Sequence, residues 1–392
     1  MVNRLYAELE QHFSDIVAWR RHLHRHPELS FREVHTPRFI AEHLTNFGLT
    51  VKTGVGGNGV VGVLEGGQEG GTIAFRADFD ALPIADEKEV PYRSTVEGVM
   101  HACGHDGHTA ALLGAARALG RFRHELKGNV VFLFQHAEEM TPGGARAMIE
   151  DGCLDGVDAV YGAHLATHLP VGTIGSRSGP LMAAADAFDI QLRGKGGHGG
   201  RPHEAVDALL AGTQVVHQLH HLVGRRVNPL HSAVVSVGVF QAGTASNIVA
   251  DRARIQGTVR TFDPDLRRSL EENIRLVVKG VSEAAGVEHE IAYKRGYPVV
   301  VNHRENVELV RSVATELFGP ETYREIEPST GAEDFAYYLQ HRPGAFYFVG
   351  ARGDDEATHY PHHHPKFDFD ERALLISAKL FVGIAARYLL GV

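Results

Sequence analysis

The 392-residue chain has little cysteine, a single tryptophan and no excess of positive charge. Its two cysteines, Cys103 and Cys153, rule out a disulfide framework as the organising principle. A formal charge of −9 argues against a nucleic-acid surface, and no basic stripe with interleaved aromatics is present; Arg225-Arg226 is too short a run to count. No apolar stretch reaches the ~18 residues needed to cross a bilayer. The N-terminal MVNRLYAELEQHFSDIVAWRRHLH mixes charged and apolar residues at helical spacing, so it reads as an amphipathic helix and not as a secretory leader. The expectation is a cytoplasmic protein with neither nucleic acid nor membrane as partner.

What is present suits a soluble enzyme: 43% hydrophobic and 22% charged residues, over a length that favours two domains. Residues 59–65 and 72–77 read as short strands, and 129–135 as a buried apolar strand. Residue 158 opens another strand, ending at 163. Helical patterns run from about Thr109 to Leu126 and over 143–150. Strands alternating with helices imply a mostly parallel α/β sheet covered on both faces.

The middle of the chain changes character. Strand 186–192, helix 204–223, strands 232–240 and 254–262, helix 265–285 and strand 287–293 follow the βαββαβ order of a ferredoxin-like unit. Gly179-Pro180 and Gly296-Tyr297-Pro298 bracket it. The expected organisation is a first catalytic segment at 1–180, an inserted domain at 181–296 and a second catalytic segment at 297–392. The last segment offers helices at 304–318, 334–340 and 369–390 and a strand at 345–349.

Histidine is abundant, at 26, and its grouping carries the information. Asp78-Phe79-Asp80, His101-Ala102-Cys103-Gly104-His105, Gln135-His136-Ala137-Glu138-Glu139, Gly162-Ala163-His164 and Pro361-His362-His363-His364-Pro365 each fall at or just beyond a predicted strand end or at a helix start. In an open α/β sheet ligands bind there. Any one of these groups alone reads equally well as a turn, a cap or a solvated face. Together they supply imidazole, carboxylate and thiolate from separate segments to one end of a sheet.

Cys103-x-His105 is the sharpest pair. In extended chain, residues two apart point the same way, so sulfur and nitrogen can converge on one ion. Both ligand types suit Zn²⁺ and similar divalent metals. The bland alternative is a small buried thiol. In Glu138-Glu139, neighbours facing different ways allow one carboxylate to bind metal while the other acts as general base on a metal-bound water. Glu138 is assigned as base and Glu139 as ligand, although spacing alone does not order them.

These residues sit in longer stretches that resemble a known family: RRHLHRHPELSF (20–31), RADFDALPI (76–84), MHACGHDGHTA (100–110), QHAEE (135–139), GAHLATHLPVG (162–172), GKGGHGGRPHEAVDA (194–208), SNIVADRARIQGTVRTF (246–262), TGAEDFAYY (330–338) and HHHPKFDFDE (362–371). In this order they resemble the zinc-dependent aminoacylase and carboxypeptidase superfamily, in the N-acyl-amino-acid amidohydrolase branch with the hippurate and auxin-conjugate hydrolases. The resemblance implies metal ligands Cys103, His105, Glu139, His164 and His363, with Cys103 bridging two divalent ions per subunit. Zinc is the first choice, with manganese, cobalt or nickel as alternatives. His363 is selected over His362 and His364 as the residue two before the proline of a His-x-Pro segment. The resemblance also implies Glu138 as the general base and Asp80 as support for a ligand imidazole. Where the wider superfamily has His-x-Asp, this chain has Asp78-Phe79-Asp80, which leaves Asp78 without an assigned role.

The same resemblance makes the inserted domain a lid and dimerisation module. It implies that His198 stabilises the oxyanion in the partner subunit's site, and that Asn247 and Arg260 hold substrate, the guanidinium suiting a free α-carboxylate. The implied reaction is hydrolysis of an N-acyl-L-amino acid (N-acetyl, N-benzoyl or related) to a carboxylate and a free amino acid. A dipeptidase or carboxypeptidase would use the same chemistry. From a different class, Cys103 could be the nucleophile of a cysteine hydrolase.

Overall fold

The computed structural model describes residues 1–391. In chain order the main strands are β1 (Thr50–Val55), β2 (Gly59–Glu65), β3 (Gln68–Asp78), β4 (Lys127–Gln135), β5 (Ala159–Pro170), β6 (Ile174–Ser176), β7 (Ala184–Arg193), β8 (Ala233–Ala242), β9 (Arg252–Thr261), β10 (Glu288–Arg295), β11 (Tyr323–Glu325) and β12 (Gly344–Arg352). The helices that matter here are α1 (Phe13–Arg25), α2 (His105–Arg121), α3 (Ala208–Arg226), α4 (Pro264–Ala285) and α5 (Arg372–Leu390).

The chain divides into two compact units. The first takes Met1–Leu181, Val300–Glu327 and the chain from Asp334. Its eight-stranded sheet has the order β1-β2-β4-β3-β5-β12-β6-β11. The centre is parallel: β4 with β3, β3 with β5 and β5 with β12. Toward one edge β4, β2 and β1 pair antiparallel. The last residues of β3 and β4 are buried without alternation, because both sheet faces are covered.

Helices α2 and α5 pack on each other and against β3. By length and composition α5 would qualify as a membrane span, contrary to the expectation that no stretch does. Arg372, Lys379 and Arg387 interrupt its apolar run in sequence, and 67% of its most apolar stretch is buried. It is the core helix of this unit, contributing Leu374, Leu380, Phe381 and Ile384. The single N-terminal helix expected from the sequence is two, broken at His12.

The second unit comprises Met182–Val299 and Pro328–Glu333. Its sheet order, β8-β9-β7-β10, is antiparallel throughout and has ferredoxin-like topology. The core joins Phe188, Ile190 and Leu192 of β7 to Val215 and Leu219 of α3 and Leu270 and Ile274 of α4. Helix α3 starts later than the sequence suggests. Asp207 accepts a hydrogen bond from the Leu210 amide as its N-cap, and Pro202–Glu204 is a separate 3₁₀ turn.

Candidate metal centre

The side chains proposed as ligands from the first unit come together at the carboxyl ends of β3 and β4, within β5 and at the start of α2. The local geometry differs from that inferred for extended chain. Gly104 is the N-cap of α2 with φ +92°, so the backbone turns sharply between Cys103 and His105. Ala137 lies at φ +53° just beyond β4, and His363 at φ +65°. Left-handed conformations at non-glycine residues cost of order 1–3 kcal/mol each and persist where the surroundings fix them. These two positions adjoin Glu138-Glu139 and fall within the triple histidine.

Ligand atoms of Cys103, His105 and Glu139 lie within 4.8 Å of one another, as do those of Cys103, His164 and His362. Cys103 belongs to both triplets. Its Sγ is 3.4 Å from His164 Nε2, and His105 Nε2 is 3.8 Å from Glu139 Oε1. Two groups bound to one ion at ~2.0–2.3 Å stand at such separations. His363 Nε2 lies 3.2 Å from Glu139 Oε1, on the His105 side. The sequence favours His363 over His362, yet His362 is the histidine gathered with Cys103 and His164. Three consecutive histidines carry no periodicity that could separate their directions.

The donor set fits metal ions. His105 directs Nδ1 at the backbone and side-chain oxygens of Asp80, 2.9 and 3.2 Å away. His164 donates from Nδ1 to the Leu165 carbonyl at 2.7 Å. Each ring, in its neutral form, thereby directs Nε2 to the centre, the tautomer a metal requires. His105 Nε2 is buried with no hydrogen-bond partner. Asp80 also accepts from Ser30 Oγ at 2.6 Å and from the Glu139 amide at 3.0 Å. One carboxylate therefore braces both an imidazole and the Glu139 backbone.

Electrostatics point the same way. Burial alone would depress His105, but Asp78, Asp80 and Glu139 raise it to about 10. Burial, then Glu139, Glu138 and Asp78, push the Cys103 thiol well above its ordinary value. A reactive cysteine needs electropositive surroundings; this one sits among carboxylates, where a thiolate requires a cation beside it. His164 and His362 are held neutral by burial, His362 at about 3.

His108 and Asp78 stand behind this centre, and sequence reasoning gives neither a role. His108 donates from Nδ1 to Asp78 Oδ1 at 2.6 Å and accepts the Leu165 amide at Nε2, 2.9 Å away. Both ring nitrogens are committed, so His108 supports the centre without being a ligand. Arg76 Nη1 donates to Asp78 at 2.5 Å, and its Nη2 to Asp334 at 2.8 Å. The signal for these residues lies in the 76–84, 100–110 and 330–338 stretches, but only as neighbours of stronger residues.

Glu138 is buried, 7% exposed. His198, Asn247 and Arg260 belong to the second unit. His198 lies on a two-residue strand paired with Ile248–Val249, and the Asn247 carbonyl accepts the Gly199 amide at 2.7 Å. Both line a groove of about 1050 Å³ in that unit. Arg260 is on β9 and donates from Nε to the Thr330 carbonyl at 3.2 Å.

The family described as "Peptidase family M20/M25/M40" matches residues 74–387. YhaA of Bacillus subtilis (strain 168) is 51% identical, over 97% of this chain and 96% of its own. The N-acyl-L-amino acid amidohydrolase of Geobacillus stearothermophilus is 48% identical over 78% of this chain and 81% of its own. Among solved structures, the Bacillus subtilis YXEP protein, described as a dinuclear metal-binding peptidase of the M20 family, superposes with a TM-score of 0.84. It is 38% identical, covering 98% of this chain and all of that one (100%). A family match of this length, joined by relatives that share about half the residues, places the chain in peptidase family M20/M25/M40, as a metal-dependent amidohydrolase.

Proposed function

We propose that this enzyme hydrolyses the amide bond of N-acyl-L-amino acids, releasing a carboxylic acid and a free amino acid. The observation that carries this reading is the pair of ligand triplets sharing Cys103, with buried Glu138 adjoining Glu139. The named activity of the Geobacillus relative supports the substrate class.

Cys103, His105, Glu139, His164 and His363 would hold two divalent ions, zinc first among them, with His362 at the His164 side. When bound, the ions polarise the scissile carbonyl and make water acidic enough to lose a proton near neutral pH. Glu138 accepts that proton on its carboxylate and passes it to the departing amine nitrogen. His198 suits an oxyanion donor: its Nδ1 accepts the Gly200 amide at 2.9 Å, so the hydrogen resides on Nε2. Asn247 and Arg260 hold the amino-acid portion, Arg260 through its guanidinium. The second unit serves as lid and as the surface through which two subunits pair in the cytoplasm, so that His198 completes the partner's site.

A second reading, cleavage of dipeptides or of C-terminal residues, is favoured by the description of YXEP as a peptidase. A panel of N-acetyl-amino acids, N-benzoyl-amino acids and dipeptides, assayed with Zn²⁺, Mn²⁺, Co²⁺ or Ni²⁺, separates the two. Preference for the acylated substrates supports the proposal, and preference for dipeptides overturns it. A strong chelator should abolish turnover and added metal restore it; survival of chelation with loss on thiol alkylation would restore the cysteine-hydrolase class. Glu138→Ala should lower kcat by a factor of about 10² or more with metal content unchanged. Retained turnover would remove Glu138 from the role of base.

A further inference from the structure

Helix α3 carries a separate set of imidazoles in the second unit. In Val215-Val216-His217-Gln218-Leu219-His220-His221-Leu222, the apolar Val215, Leu219 and Leu222 enter that unit's core. His217, His220 and His221 are exposed, and among the described residues none makes a hydrogen bond or ion pair. Residues four apart on a helix are surface neighbours. The His217 and His221 ring centres stand 4.4 Å apart with planes 47° to each other, neither stacked nor edge-on.

That separation is close to what a shared ion needs. With nitrogen at ~2.1 Å, the ion lies roughly 3.2 Å from each ring centre, and two rings at about 90–110° around it are roughly 4.5–5.2 Å apart. The backbone is already fixed by the packed face of α3, so chelation requires little more than side-chain rotation.

We propose that His217 and His221 chelate one divalent transition-metal ion on the outer face of α3, independently of the catalytic centre. Two neutral imidazoles, with water completing the shell, select Cu²⁺, Ni²⁺ or Zn²⁺ over Mg²⁺, Ca²⁺ or Mn²⁺. His221 also borders a shallow cleft with Gln218, Arg225, Arg226 and Asn273. The two arginines oppose a cation there, so Cu²⁺ and Ni²⁺, the stronger imidazole binders, are the ions expected to hold.

The test uses the full chain with its catalytic centre loaded with zinc, titrated with Ni²⁺ by calorimetry and with Cu²⁺ by electron paramagnetic resonance. The parent should take up one further ion per chain with a two-nitrogen signature. His217→Ala and His221→Ala should each weaken that uptake more than about tenfold, with helicity, zinc content and turnover unchanged. His221→Gln, which keeps the polar surface, should do the same. His220→Ala should retain the ion. Equal uptake by parent and the His217→Ala/His221→Ala double variant would overturn the proposal in favour of dispersed surface histidines, and loss of the ion in His220→Ala would overturn the two-residue assignment.

Discussion

His164 donates to the carbonyl of Leu165, and the amide of Leu165 donates to His108, whose other nitrogen is held by Asp78. A proposed ligand imidazole is thus steadied through the peptide next to it by a histidine and an aspartate behind it. Supporting groups of this kind typically affect metal affinity by about 10–100-fold. His108→Ala is expected to weaken metal binding within that range, measured by competition with a chromophoric chelator, while Glu138→Ala leaves the affinity unchanged. An unaltered affinity in the His108 variant would reduce the relay to simple packing. Sequence supplies the residue types here but not the tautomers. Those follow from backbone partners such as Leu165, which no side-chain motif records.

At the scale of elements, the approach of α2 to its neighbours depends on Gly107. A methyl group there would lie 2.6 Å from Leu165 Cδ1 and 2.7 Å from Phe369 Cζ. Gly107→Ala should therefore cost about 1–3 kcal/mol through overpacking, read as a lower urea midpoint at unchanged m-value. It should also loosen metal binding, because α2 begins at His105. A midpoint equal to that of the parent would mean that Leu165 and Phe369 yield freely.

Elements with a clear period are legible in the sequence. Alternation in β7 and β9 and the amphipathic runs of α3 and α4 are enough to trace the ferredoxin-like unit, and the apolar run of β4 marks a central strand. The three-residue strands β6 and β11 are too short to leave a period. Residues 328–333 group with the catalytic segment by their place in the chain, but they join the second unit, where the Ala183 amide donates to the Ser329 carbonyl at 3.0 Å. Nothing in Pro328-Ser329-Thr330 itself announces that contact. Pattern alone starts α2 too late, because His105-Asp106-Gly107-His108 is a poor helix by propensity and is held by its surroundings.

On the scale of the whole first unit, a buried ionic cluster joins distant parts of the chain. Arg20 of α1 donates to Asp106 at 2.9 Å and to Asp368 at 2.7 Å, and His24 meets both Asp106 and Asp86. Burial opposes ionisation of Asp86, but His24, the Ser94 amide and Lys88 hold its carboxyl below the ordinary range. Asp368 is likewise lowered, against burial, by Arg20, Lys88 and Tyr92. Carboxyls with depressed folded-state values contribute stability above the unfolded value of ~4 and lose it as pH falls through the folded one. The contribution of these two carboxyls should therefore hold from neutral pH down to about 4 and decline below it. Urea unfolding at a series of pH values tests this. Asp86→Asn should lower stability at pH 7 and flatten the acid decline, and an unchanged slope would exclude Asp86 as a contributor.

The position of β12 also bears on how the enzyme is made. This strand pairs with β5 on one side and β6 on the other, yet it is translated after nearly all of the second unit. A nascent chain ending before Gly344 has the whole sequence of β7 to β10 available to fold, while β5 still presents an open hydrogen-bonding edge. His362 and His363 emerge later still. The ferredoxin-like insert is thus placed to fold early, and the metal centre is the last part to close. Chains stalled in that interval would carry Cys103 without its full set of partners and an unpaired edge prone to aggregation, which makes the final stretch of synthesis the vulnerable period in the life of this enzyme.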